Sequence, residues 1–461
     1  MGKSEVISLD GRGYFKKLFA FAVPVMLSYF LQSLYGAADT YVIGNFAADG
    51  EISLAAIACT GQILNLILGL FMGLSVGAGV CVSHAIGAKK TNEISKIVHT
   101  AILLSFVSGV ALAIIGVIVA PWLLALVDTP ASIIAPATLY MQIIYLGAPA
   151  QLIYNYCAAI IRSTGDSKRP MIYLSISGVV NVLLNLLLVV VIPLDVAGVA
   201  IGTVVAQYLS AVLVLVHMLV SRGDIHFSPR RLGIDKKSLV NMIKIGLPSG
   251  IQGMLFSLAN VTIQSSVNSF NSTALLAAEN ALGKLDAVAG GIDTGVRTAG
   301  ITFVGQCVGA KKYRDIKKVI FYCILIILVF FAVITPIFIV FKDQLLGIFL
   351  KDNEAALRAA TPRFVCLTCM HFICAIMNLG SAALRGMGKS TYAMVISLIG
   401  ACGLRILWLK TVFKVWVSPW CIYITYPITW VITAAVLYAF VFALLRKSIK
   451  SEDIDKEEMP S

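Results

Sequence analysis

The sequence predicts an all-α integral membrane protein with twelve transmembrane helices in two parallel six-helix repeats. Three observations lead there. Of 461 residues, 59% are hydrophobic and 13% charged, against roughly 25% charged in soluble domains. The apolar residues form long unbroken runs, such as Ile97 to Ala120, Val319 to Val340 and Ile428 to Leu445, which meet the roughly 20 residues a helix needs to cross a bilayer. Blocks of sequence also recur at a fixed spacing. In lipid every backbone N–H and C=O must be satisfied within a helix or a closed barrel. The runs show no period-2 alternation, so helices are expected.

Taken in order, the predicted spans are 15–43, 52–85, 97–121, 133–161, 170–193 and 196–221, then 238–269, 274–308, 319–341, 360–384, 392–409 and 417–445. The apolar run after Lys17 reaches Ile43, far beyond a signal-peptide core of about 7–15 residues, so span 1 is expected to remain uncleaved. Pro24 and Pro248 stand near the starts of spans 1 and 7, where the lost backbone donor should kink the helix. Gly69, Gly73 and Gly77 give span 2 a small-x-x-x-small face for close packing. The domain reading is an N-terminal lobe at 1–221, a basic cytoplasmic linker at 222–237, a C-terminal lobe at 238–446 and an acidic cytoplasmic tail at 447–461, in which Glu452 to Glu458 is expected to be solvated and disordered.

The repeat carries the topology. AVPVMLSYFLQSLYGAADTYVIG around Pro24 resembles GLPSGIQGMLFSLANVTIQSSVNS around Pro248, 224 residues on. SHAIGAKK (Gly87) recurs as GQCVGAKK (Gly309), and IRSTGDSK (Arg162) as LRGMGKST (Arg385), at offsets of 222 and 223. Six spans per half is an even number, so both halves enter from the same side. Parallel repeats of this kind place a substrate cavity between lobes that rock.

The net charge of +13 does not mark a nucleic-acid surface. Most Lys and Arg lie at the N-terminus, in even-numbered loops and in the tail. The odd-numbered loops hold only Lys342, Lys351, Arg358, Lys410 and Lys414. The positive-inside rule then puts both termini in the cytoplasm of a multi-pass cell-membrane protein. Ten scattered cysteines, including Cys366 and Cys369 in an apolar span, read as small buried side chains. The histidines at 84, 99, 217, 226 and 371 share no ligand spacing. GMGKS, ending at Ser390, has Ala383 where a phosphate loop needs its first glycine. With no ATP site and no catalytic constellation, the protein is expected to be driven by an ion gradient and not to be an enzyme.

Ionisable groups inside spans cost at least about 2.5–3.5 kcal/mol each to insert, which makes them functional candidates. At about 100° per residue, Ser28, Gln32, Tyr35 and Asp39 share one face of span 1. Ser177, Asn181 and Asn185 share a face of span 5, and Thr203, Gln207 and Ser210 a face of span 6. These stripes either converge on one interior pocket, or Asp39, near the outer end of its helix, meets interfacial water. In span 8, Glu279, Asp286, Asp293 and Arg297 fall within about 40° of one another, with Lys284 opposite. Asp293 and Arg297 have i, i+4 spacing for a pair. Glu279 and Asp286 would then form an acidic wall suited to organic cations, or pair with Arg363 or Arg405 of other helices. Span 7 adds Ser257, Asn260, Gln264 and Asn268 on one face.

At these residues the chain resembles the MATE (multidrug and toxic compound extrusion) family, in its prokaryotic branch. The resemblance runs through LFMGLSVGAGV, SHAIGAKK, IIRSTGDSKRP, VVNVLLN, GLPSGIQGMLFSLANVTIQSSVNSF, ITFVGQCVGA and ALRGMGKS. It implies a cofactor-free, monomeric antiporter in membrane lipid that exchanges H⁺ or Na⁺ for drug-like, often cationic, compounds. Its coupling site would use an acid on helix 1, Asn and Asp on helix 5 and Thr on helix 6. Asp39, Asn181 and Thr203 match, and Asn185 stands where the family often has Asp. A Na⁺ at Asp39, Asn181 and Thr203 would therefore lack one anionic ligand, which shifts the expectation to a proton carried by Asp39. Burial of a carboxylate favours its neutral form, and one charge moving down 100 mV supplies about 2.3 kcal/mol. Substrate contacts are expected from Gln32, Tyr35, Asn260, Gln264, Glu279, Asp286 and Asp293. The alternative is a flippase for a lipid-linked precursor, which would want a cationic cavity.

Overall fold

In the computed structural model, residues 13–47, 49–221, 223–350 and 353–457 are described, the side chains at 62, 349 and 453–457 excepted. The basic residues expected to mark the N-terminus at Lys3 and Arg12, with Arg222 of the linker, Lys351 and the last residues of the tail, lie outside them. Helices begin and end close to where the apolar runs do. The first half contains α1 (Tyr14–Phe46), α2 (Gly50–Gly87), α3 (Thr91–Leu126), α4 (Ala131–Leu146), α5 (Ala148–Ser163), α6 (Lys168–Asn185) and α7 (Asp195–Val220). The second contains α8 (Lys236–Asn268), α9 (Thr273–Gly309), α10 (Tyr313–Val340), α11 (Lys342–Leu350), α12 (Glu354–Arg363), α13 (His371–Gly386), α14 (Ser390–Ser397), α15 (Leu404–Val415) and α16 (Pro419–Glu457).

These helices make twelve spans. Among the described residues, nine helical stretches are long and apolar enough to cross a bilayer by themselves, and the bent pair α4–α5 makes a tenth. The remaining two are α8 and α9, which have the length, at 33 and 37 residues, but carry the polar stripe and the charges noted above. The α4–α5 bend of 45° falls at Gly147, just before Pro149, whose ring cannot donate the next backbone bond. Three spans contain π-helical stretches, at Leu186–Val191, Phe364–Cys369 and Leu398–Gly403. The helix α11 and the π stretches were not anticipated, and α16 continues to Glu457 through part of the stretch expected to be disordered. Extending an existing helix adds a bond per residue without a new nucleus, and Glu and Lys tolerate it well. Helices α1 and α8 run through Pro24 and Pro248 without a break.

The repeat is present in the backbone as well as in the letters. After α2, Lys89 adopts φ 56°, and after α9, Lys311 adopts φ 56°. In each turn the same three amides close the helix: Ala88, Lys89 and Lys90 donate to His84, Ile86 and Ala85, and Ala310, Lys311 and Lys312 to Gln306, Val308 and Cys307. The next match also holds, with Gly165 at φ 90° and Gly388 at φ 73°. A left-handed lysine costs roughly 1–2 kcal/mol, so finding one at both places marks the same turn.

Among the described residues two compact units result, 27–250 in one and 13–26 with 251–457 in the other. The first has a core around Leu112, Leu124, Met141 and Tyr145. In it, α2 meets the start of α8, where a Cβ on Gly73 would come within 2.2 Å of Gly250 and one on Gly77 within 2.2 Å of the Met242 carbonyl; Gly69 makes no such approach. The second unit has its core around Phe21, Phe303, Ile320 and Tyr423. Outer faces are apolar, as with Ile114, Ile118 and Trp122 on α3 and Phe321, Val329 and Val333 on α10, which suits contact with lipid tails.

Candidate coupling and substrate sites

In the first unit the three polar stripes meet. Asn185, at the end of α6, is fully buried, and its Nδ2 donates to Asp39 Oδ1 of α1 at 2.5 Å. Its Oδ1 points the other way and has no hydrogen-bond partner among the described residues. Gly202 of α7 makes room for it, since a Cβ there would stand 2.2 Å from that oxygen. One turn back on α6, Asn181 donates through Nδ2 to Thr203 Oγ1 of α7 at 3.3 Å. Tyr35 fits over Gly178, where a Cβ would approach its ring to 1.8 Å, and its hydroxyl donates to the Ser175 carbonyl at 3.2 Å. Asp39 with Asn185 and Asn181 with Thr203 therefore form two pairs one turn of α6 apart, with Tyr35 seated against the same helix, and Asp39 is half-buried and hydrogen-bonded. Gln32 is exposed on α1. The residue missed by the sequence reading is Tyr140 of α4, within electrostatic reach of Asp39; nothing in its local pattern distinguishes it from a lipid-facing tyrosine.

The π-helical stretch Leu186–Val191 begins at the residue after Asn185. Such stretches widen the helix by one residue per turn and occur frequently at functional sites. Arg363 likewise immediately precedes Phe364–Cys369, and Arg405 follows Leu398–Gly403 by one residue.

The second unit holds a denser charge network. Arg363 reaches Asp286 Oδ2 through Nη2 at 2.8 Å and Glu279 Oε2 through Nη1 at 3.3 Å. Its Nη1 also donates to the Glu279 carbonyl at 2.5 Å. Thr368 donates to Asp286 Oδ1 at 2.9 Å, and the Tyr423 hydroxyl donates to Glu279 Oε1. The two acids thus take the pairing with Arg363 in place of the unpartnered acidic wall. Asp293 does not form the i, i+4 pair either. It accepts from Asn378 Nδ2 at 3.1 Å, and Arg297 turns to Thr294 at 3.4 Å. Arg405 is buried with its guanidinium 3.8 Å above the Tyr426 ring. A cavity of about 300 Å³ opens beside this network, lined by Asn260, Gln264, Glu279, Arg363, Tyr423 and Tyr426 with three aliphatic side chains. Of the expected substrate contacts, Asn260, Gln264 and Glu279 line it; Asp286 stands behind Arg363, and Asp293 is bound to α13. Thr368, Asn378 and Tyr423 were missed because their roles arise only when distant helices pack.

The family model MatE matches residues 24–187 and 248–408. The chain belongs to the MatE family. The two matched segments open at Pro24 and Pro248, the register at which the sequence repeats itself. Among curated MatE-like relatives, the chain is 27% identical over 397 residues to the probable multidrug resistance protein YoeA of Bacillus subtilis (strain 168), with 84% of each chain covered. It is 24% identical to the multidrug export protein MepA of Staphylococcus saprophyticus, over 77% of this chain and 78% of that protein. Its fold matches a crystal structure of MATE in complex with MaL6 at a TM-score of 0.89 and 17% identity, covering 98% of this chain and 100% of the other. An outward-facing multidrug resistance MATE transporter of the MOP superfamily gives 0.89 over 97% and 99%. This MatE member is a multi-pass membrane transporter and not an enzyme.

Proposed function

We propose that this MatE protein exports small organic compounds across the cell membrane in exchange for protons, with Asp39 as the proton carrier and both termini in the cytoplasm. The observation that carries the reading is the orientation of Asn185. It offers Asp39 an N–H donor and turns its carbonyl oxygen toward Gly202. For Asn185 to ligate a Na⁺ beside Asp39, that oxygen would have to face the carboxylate, because an amide N–H cannot ligate a cation. A proton requires no such turn, since Asp39 Oδ1 accepts from Asn185 whether or not its other oxygen is protonated. Half-buried within a membrane span, the carboxylate is costly when charged and unpaired, so losing a proton favours rearrangement or a new counter-charge. That exchange couples proton to substrate. The basic even-numbered loops support the orientation. The relatives named above are multidrug transporters, which favours export of drug-like compounds over the flipping of a lipid-linked precursor.

The test is transport of a fluorescent organic compound in proteoliposomes, with a pH gradient and a Na⁺ gradient imposed separately. Uptake driven by the pH gradient and absent with Na⁺ alone is expected. Uptake driven only by Na⁺ would replace the proton with the metal ion at this site.

A further inference from the structure

From the charge balance of the second unit's cavity, we infer that its preferred ligand is a compact zwitterion, with an ammonium and a carboxylate close together on an aromatic or aliphatic body. The inference rests on the export reading and names the substrate class for that cavity. Glu279 and Arg363 both line the space, so a ligand meets a carboxylate and a guanidinium side by side. Tyr426, also on the wall, lies within electrostatic reach of Arg363, Arg405, Glu279 and Asp286, two positive and two negative groups. A singly charged ligand would leave one charge uncompensated in this buried setting, at a cost of several kcal/mol. A zwitterion leaves the sum unchanged.

The network also has a preferred place to open. The Arg363–Asp286 contact is short, at 2.8 Å, and Asp286 has Thr368 behind it. The side-chain ion pair from Arg363 Nη1 to Glu279 Oε2 is longer, at 3.3 Å; when it opens, Glu279 keeps the Tyr423 hydroxyl and Arg363 Nη1 keeps the Glu279 backbone carbonyl. A ligand ammonium would then take Glu279 and its carboxylate would take Arg363, so that two new pairs replace one. Asn260 and Gln264 supply amides at the same wall, while the tyrosine rings and aliphatic side chains receive the body. At about 300 Å³ the cavity lies at the small end of ligand sites, which suits a molecule the size of an aromatic amino acid.

The experiment uses three tritiated probes that share one body: phenylalanine, its methyl ester and N-acetylphenylalanine. These are a zwitterion, a cation and an anion. Equilibrium binding to the purified, detergent-solubilised protein is measured without any gradient, so the outcome is independent of coupling at Asp39. Phenylalanine is expected to bind at least about tenfold more tightly than either derivative. Glu279→Gln should shift the preference toward N-acetylphenylalanine, and Arg363→Gln toward the ester. Opposite shifts are a signature that general loss of structure does not produce. Equal or tighter binding of the ester to the wild-type protein would overturn the inference, as would no binding of any of the three; neither result depends on a variant folding.

Discussion

Asn185 faces two helices at once, with its amide nitrogen on Asp39 of α1 and its oxygen against Gly202 of α7. The register of Asn181 and Asn185 on one helical face was legible from spacing, and so was Asp39. Which atom of the amide meets the carboxylate was not, because it depends on Asp39 of α1 packing there as an acceptor while Gly202 leaves room for the other end. The same limit applies to Gly178, whose missing Cβ seats the Tyr35 ring. Gly178→Ala should force that ring aside and destabilise the protein by about 1–3 kcal/mol, the usual range for overpacking, read as a lower thermal midpoint in detergent. In the second unit, pairing with Arg363 was one of two readings open in the sequence, and packing decided it. Arg363→Leu leaves Glu279 and Asp286 uncompensated and should cost about 3–5 kcal/mol. Adding Glu279→Gln and Asp286→Asn to that variant should recover most of the loss. A triple variant no more stable than the single one would show that the ion pairs are not the source.

The helices themselves were legible because lipid requires long apolar runs. Their irregularities were less so. The Gly147 bend needs only Gly147 and Pro149 to be noticed, whereas the π-helical stretch Leu186–Val191 carries no glycine or proline signal and Phe364–Cys369 has only Pro362 just before it. The linker before α8 is another feature that only packing reveals. His99 of α3 is buried, donates from Nδ1 to the Ser95 carbonyl at 2.7 Å and accepts at Nε2 from the Ser228 amide at 3.1 Å. Next to it, Thr100 donates to the Gly233 carbonyl and accepts from the Asp235 amide at 3.0 Å. His99→Ala removes the acceptor and should speed hydrogen exchange at the Ser228 amide while leaving the Asp235 amide protected; unchanged exchange at Ser228 would show that the linker is held elsewhere. At the start of α8, the Ser238 hydroxyl and amide both donate to Asp235 and hold its carboxyl below the usual range. Its contribution to the first turn is complete above the ordinary carboxylate value of about 3.9 and is lost as pH falls through the depressed one. In Ser238→Ala, exchange in that first turn should accelerate at a higher pH than in the wild type.

At the scale of the molecule, the repeat gave the family its clearest mark. Three matching blocks predicted two equivalent halves, and the paired left-handed turns at Lys89 and Lys311 and at Gly165 and Gly388 show that the equivalence extends to the backbone. Twelve spans were countable because ten pass as apolar and the other two, α8 and α9, fall within the pattern of the repeat despite their polar residues. Those two polar spans also hold Asn260, Gln264 and Glu279 on the cavity wall, so the helices least suited to lipid by composition supply much of the second unit's site, together with Arg363, Tyr423 and Tyr426. The two units differ in chemistry. One offers a single carboxylate with an amide donor, suited to carrying a proton, and the other a balanced set of charges around a cavity, suited to holding a ligand. The central claim is that substrate and proton exchange through Asp39. The most direct test adds a transported compound to the purified protein in weakly buffered detergent solution and follows pH with an indicator dye. The account predicts stoichiometric proton release from the wild-type protein and none from Asp39→Asn, although that variant remains folded. Equal proton release from Asp39→Asn would contradict it and place the coupling proton on another group.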